Sequence, residues 1–118
     1  MTCFWDGLRQ GLNVNSSNEE FISFLKTKNT KKTNVLWNNN SLSDKELEEN
    51  FIHIEEFNMK SIRNGYDCST CDPFLILICE VYNINIKHNY NGNIIKYHRG
   101  NNLNTINFSS DLGHFWFK

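Results

Sequence analysis

The segment that decides the fold runs from Asp72 to Tyr82 and reads DPFLILICEVY. Asp is a favourable helix N-cap, and Pro is favourable at the first helical position, where its missing N–H costs nothing. The run that follows is apolar on nearly every side, which is typical of an element buried on all faces. We therefore predict a central buried helix that begins at Asp72-Pro73 and ends at Asn83, although a buried strand also fits the β-branched content.

Strand patterns dominate the chain after this helix. Segments 83–90 and 93–98 alternate polar and apolar residues around Asn91-Gly92, the preferred type I′ hairpin turn. The same period of two continues in segments 105–109 and 113–118. These patterns predict a four-strand meander in the last third of the chain.

Besides an amphipathic helix at the start of the chain, two helices are predicted before the central helix, separated by polar segments. Ser16 with Glu19 and Ser17 with Glu20 both fit a capping box for a helix near 17–27, and Ser43 with Glu46 forms another for a helix to about residue 57. A loop is expected at 59–67. The predicted class is α+β, with N-terminal helices followed by a small, mostly antiparallel sheet in a single domain, 1–118.

Composition restricts the classes of partner. The chain has 118 residues, 39% of them hydrophobic, with a formal net charge of -1. That charge gives no overall field for nucleic acid or a membrane surface, and no apolar run is long enough to cross a bilayer. We expect no nucleic-acid or membrane partner. Without a secretory h-region, the four cysteines are expected to be reduced thiols in an intracellular compartment.

The segment Thr2–Leu12 is the candidate for chemistry. Phe4, Leu8 and Leu12 fall on one helical face, so Cys3 is expected at or just before the first turn of an amphipathic helix. The N-terminal end of a helix favours a thiolate, which is what a cysteine hydrolase requires. The alternative is a buried core thiol, the more common environment of a cysteine beside aromatic residues.

A cysteine nucleophile needs a base that takes the thiol proton and later gives it to the leaving amine. The candidates are His53, His88, His98 and His114. His114 lies in the last predicted strand among aromatic residues, where a polar ring needs either a partner or a function. His88 and His98 are expected in the open or exposed part of the hairpin.

A single CxxC occurs at Cys68–Cys71. A thioredoxin-like motif needs a strand before it, and none is evident; a zinc site needs two further ligands. We expect loop cysteines near a helix start, with a thiol redox protein as a minor alternative. No metal ion or cofactor is predicted.

Three segments, in order, resemble the ovarian tumour (OTU) family of deubiquitinating cysteine proteases: the nucleophile motif at Cys3–Leu8, the helix and strand at 73–87, and the closing strand at 113–116. The resemblance implies a papain-like, OTU-like fold with a small sheet between helices. It implies that Cys3 is the nucleophile and His114 the base. It also implies that the substrate is the C-terminal tail of ubiquitin or a ubiquitin-like modifier, joined to a lysine by an amide bond. The Asn-rich composition fits a viral source and hence the host cytoplasm.

Two positions depart from the family pattern. The family has Asp-Gly upstream of its cysteine for the oxyanion hole, whereas only two residues precede Cys3 in this sequence. The family often has Asn or Asp two residues after its histidine, and here that position is Trp116. Asp111 and Asp6 are the candidate orienting acids. The alternative to an isopeptidase is an inactive OTU-like protein that binds a partner or is associated with a virion.

Overall fold

Four helices and five strands make up the part of the chain that the computed structural model describes, residues 3–58, 68–111 and 114–118, with backbone alone at 68–71. The predicted α+β class is confirmed. The predicted loop at 59–67 and Gly113 lie outside the described residues. The elements are α1 (Cys3–Leu12), α2 (Asn18–Thr27), β1 (Leu36–Trp37), α3 (Asp44–Glu55), α4 (Cys68–Tyr82), β2 (Asn85–Tyr90), β3 (Asn93–His98), β4 (Thr105–Asp111) and β5 (His114–Phe117).

The strands form one mixed sheet in the order β1-β3-β2-β4-β5. Strands β2 and β4 are parallel and the other pairs are antiparallel, so a mostly antiparallel sheet is confirmed. The four-strand meander is wrong. Strand β1 occupies the edge of β3 that faces away from β2, with Leu36 opposite His98. The chain after β3 therefore crosses the hairpin, and β4 pairs with the other edge of β2.

Local sequence signals account for most element boundaries. Of the two capping boxes that fit the start of α2, the structure forms the one with Ser17, and the box predicted at Ser43 is also present. Ser17 and Ser43 accept from the backbone N–H of Glu20 and Glu46 at 3.1 Å. The hairpin turn is confirmed by positive φ angles of 48° at Asn91 and 93° at Gly92.

Helix α4 begins earlier than predicted. It starts at Cys68 and contains Pro73, while Asn83 ends it with a φ of 56° as expected. Asp72 is not the N-cap, because its carboxylate accepts a hydrogen bond from the Tyr97 hydroxyl of β3. This bond connects the helix to the sheet. Pro73 cannot donate the backbone hydrogen bond that another residue would make at this position of the helix.

The core lies between α4 and one face of the sheet, which we call the inner face. Helix α4 contributes side chains with no exposed surface, including Phe74, Leu75 and Ile78. The inner face contributes alternate residues of each strand: Ile86, Tyr97, Phe108 and Phe115. The residues between them form the outer face, where Lys87, Lys96 and Asn107 are exposed and Asn85 and Ser109 are buried.

Helix α1 packs closely along β5 because it presents glycines there. A Cβ atom at Gly11 would lie 2.8 Å from Cζ of Phe108 and 2.9 Å from Cδ1 of Phe117, and one at Gly7 would lie 3.0 Å from Cδ1 of Phe115. The Phe4 ring lies 4.9 Å from that of Phe115. Moving from Phe4 to Gly11 therefore follows β5 from its start to its end, so the two elements run in the same direction.

Gly11→Ala is expected to destabilise the fold by about 1–3 kcal/mol, since the added methyl overpacks the ring of buried Phe108. This loss exceeds the gain of about 1 kcal/mol that Ala brings to a helix interior. Denaturant unfolding measures it. The control is Gln10→Ala on the exposed side of α1, and a Gly11→Ala protein as stable as this control would contradict the close packing.

Candidate active site

Four chain segments meet at one end of the sheet. The ends of β2 and β4 lie side by side, with Tyr90 opposite Ser110, and β5 starts beside the end of β4. The N-terminus of α1 reaches the same end, because Phe4 packs on Phe115. The side chains at this end of the sheet that could take part in catalysis are Cys3, His88, Ser110, Asp111 and His114.

Cys3 is the first residue of α1 and is half-buried. It lies one helical turn before Gly7, whose Cβ position is 3.5 Å from the backbone nitrogen of Phe117. One turn is about 5.4 Å and two strand residues span about 6.6 Å. Stepping back one turn along α1 from this contact therefore brings Cys3 to about the level of Phe115 on β5.

His114 is the first residue of β5, at the edge of the described sheet, and its side chain is exposed. Its ring stacks on Trp116, with centroids 5.3 Å apart and planes at 28°. Because Phe115 faces α1, strand alternation directs His114 and Trp116 to the outer face. The Cys3 thiol and the His114 imidazole thus lie at the same end of β5, and their side chains leave from opposite faces.

The two candidate acids have different surroundings. Asp111 lies directly opposite His114 in the β4–β5 pair. The carboxylate of Asp6 accepts a hydrogen bond from Asn18 at 2.9 Å, which connects α1 to α2, and one from Arg9 of α1 at 3.3 Å. Of the two, Asp111 is the one that the sheet brings next to His114.

His88 is a residue of this site that the sequence analysis misplaced. It is 1% exposed on the inner face, not in an exposed part of the hairpin. Its Nε2 lies 2.6 Å from Oγ of Ser110, and its ring is 5.4 Å from that of Phe115. Burial lowers the pKa of His88 to about 4, so the ring is neutral at neutral pH. The sequence contains a signal for this burial, because His88 continues the alternation of Ile84 and Ile86 and therefore lies on the same face of the strand.

The remaining cysteines differ from Cys3. Cys79 has no exposed surface, and burial raises the pKa of its thiol, which makes it unreactive. The backbone of Cys68 and Cys71 belongs to the first turns of α4 rather than to a loop, and their side chains lie outside the described atoms.

The described residues contain no group of three or more His, Cys, Asp or Glu side chains placed to hold a metal ion. Within the same residues, no helix combines the length and the apolar character needed to cross a membrane.

No protein-family model, curated protein or solved structure matches this chain. The resemblance to the OTU family thus remains a prediction from the three sequence segments. The function has to be argued from the side chains at this end of the sheet.

The His88–Ser110 pair predicts a pH dependence of stability. His88 has a pKa of about 4 when folded and about 6.5 when unfolded, so the unfolded chain binds more protons between these values. The free energy of unfolding is therefore expected to fall as pH drops from about 6.5 toward 4.

Denaturant unfolding at a series of pH values checks this. His88→Gln, which can keep a hydrogen bond to Ser110, should flatten the dependence, whereas His53→Gln in α3 should leave it unchanged. Parallel pH curves for wild type and His88→Gln would show that His88 is not the group responsible.

Proposed function

We propose that this chain is an OTU-like cysteine isopeptidase that removes ubiquitin or a ubiquitin-like modifier, with Cys3 as nucleophile and His114 as base. The observation that supports this most is the packing of α1 along β5 in the same direction, with Phe4 on Phe115. It brings the first residue of the helix and the first residue of the strand to one end of the sheet. The half-buried thiol is open to a substrate there, unlike that of Cys79.

The reaction proceeds in two steps. The Cys3 sulfur gives its proton to His114 and attacks the carbonyl carbon that joins the modifier to a lysine. The C–N bond breaks, His114 returns the proton to the leaving amine, and a thioester remains on Cys3. Water, deprotonated by His114, then attacks the thioester and releases the modifier as a carboxylate. Backbone N–H groups in the first turn of a helix point toward its N-terminus, where the oxyanion develops.

Two neighbours of His114 suit a base that becomes positively charged during the reaction. Trp116 stacks on the imidazole, and Asp111 stands opposite it across β4 and β5. A carboxylate in this position stabilises the imidazolium that forms during proton transfer. Because β5 is the last strand of the described sheet, the proposed catalysis requires the imidazole to leave its stack on Trp116 and turn past the edge of β5 toward the Cys3 sulfur.

A second candidate is a non-catalytic protein with the same architecture, which binds a partner or is associated with a virion. The direction of His114 favours it, because strand alternation places the imidazole on the face opposite α1. For either function we propose an intracellular location. The two candidates differ in whether Cys3 is needed.

A ubiquitin or ubiquitin-like probe with a thiol-reactive C-terminus is expected to form a covalent adduct with the folded protein. Cys3→Ala should abolish the adduct, and His114→Ala should slow its formation, because the thiol then lacks its base. Gel shift and mass spectrometry of the labelled peptide measure this. The control is Cys68→Ser with Cys71→Ser, which should label normally. An adduct that persists in Cys3→Ala, or no adduct with any modifier, would contradict the proposal.

Asp111→Asn is expected to lower turnover at least about tenfold with little change in KM, because an amide does not stabilise the imidazolium. The matched control is Asp6→Asn, which alters the contacts of Asp6 to Asn18 and Arg9 and should affect stability rather than turnover. Steady-state kinetics on a modifier linked to a fluorogenic amine measure both. Equal turnover in wild type and Asp111→Asn would exclude Asp111 as the orienting acid.

A further inference from the structure

A row of lysines crosses the outer face of the sheet. Lys96 and Lys87 lie directly opposite each other in the β3–β2 pair, and Lys87 is in register with Asn107 of β4. The backbone N–H of Lys118 donates to the carbonyl of Asn107 at 3.0 Å. The row therefore continues to Lys118, the residue that follows β5. Like charges directly opposite each other destabilise a sheet. The row therefore opposes folding stability and is suited to an anion.

An aromatic pair lies on the same face, one row away from the lysines. Trp116 is 37% exposed and stacks on His114. Two strand residues and two strand spacings separate Trp116 from Lys87, a distance of about 12 Å, and Lys118 is about 6.6 Å along β5 from Trp116. These separations are those between a stacked base and phosphates of the same or the next nucleotide.

The net charge of -1 conceals this basic face. Among the described residues of β2–β5, Asp111 is the one carboxylate. The acidic residues are concentrated on the helices, at Glu19 and Glu20 of α2 and at several positions of α3. A concavity of about 470 Å³ also opens on the outer face, lined in part by Lys87, Lys96, Thr105 and Asn107. The expectation of no nucleic-acid partner rested on the total charge, which does not show how charge is distributed.

We propose that the outer face of this sheet binds single-stranded nucleic acid, with phosphates over the lysine row and a base stacked on the Trp116–His114 pair. An exposed aromatic platform favours a single strand, because bases in a duplex are not available for stacking. The amide of Asn107 lies within the lysine row and that of Asn89 in the row of Trp116, where both can donate to base edges or sugar oxygens. The aromatic pair also favours nucleic acid over an acidic protein surface, which has no base to stack.

Fluorescence anisotropy of a short labelled oligothymidylate tests this with the Cys3→Ala protein, so that binding is measured independently of the proposed hydrolysis. Affinity is expected to fall as salt rises, since bound lysines release counterions. Replacing Lys87 and Lys96 with Gln should weaken binding and reduce the slope of log affinity against log salt by about 1.4. Trp116→Ala should weaken binding at least about fivefold through the lost stacking.

The matched control is Lys31→Gln with Lys45→Gln, which removes two exposed lysines away from the sheet. This double variant should bind as tightly as the parent protein. The indole N–H signal of Trp116 should shift on titration, and that of buried Trp5 should not.

Four results would overturn the proposal. These are no binding at low salt, equal loss of binding in the control variant, equal binding of a duplex of the same length, and equal competition by polyglutamate or anionic vesicles. The last two would mean that the lysine row attracts any polyanion.

Discussion

The close approach of α1 to β5 is the constraint on which the rest of the structure depends. Gly7 and Gly11 let the helix lie against the Phe115 and Phe117 rings, and the shared direction of the two elements follows from that contact. The parallel pairing of β2 with β4 then brings His88, Ser110 and Asp111 to the end where α1 begins. One packing arrangement thus sets both the core and the candidate active site.

Sequence patterns predicted what depends on neighbouring residues. The capping boxes at Ser17 and Ser43 and the Asn91-Gly92 turn are local, and each is confirmed. The failures concern distant contacts: the edge of β3 covered by β1, and the Asp72 carboxylate engaged by Tyr97 instead of capping α4.

The candidate site shows the same division between local and distant information. Cys3 at a helix start could be predicted, as could His114 in the last strand. Two other features depend on strand register, which no local pattern gives. They are the burial of His88 at the same end of the sheet and the position of Asp111 opposite His114. The face on which His114 lies also depends on the side of β5 that α1 covers, which no local pattern contains.

His114 belongs to both proposed surfaces. Its ring stacks on Trp116 on the outer face, and the proposed catalysis requires it to serve the thiol at the start of α1. The rate of alkylation at Cys3, followed by mass spectrometry of the Cys3 peptide, is the most direct test of this pairing. If the imidazole takes the thiol proton, His114→Ala slows the alkylation of Cys3 at neutral pH. Equal alkylation rates in wild type and His114→Ala would show that sulfur and imidazole do not interact.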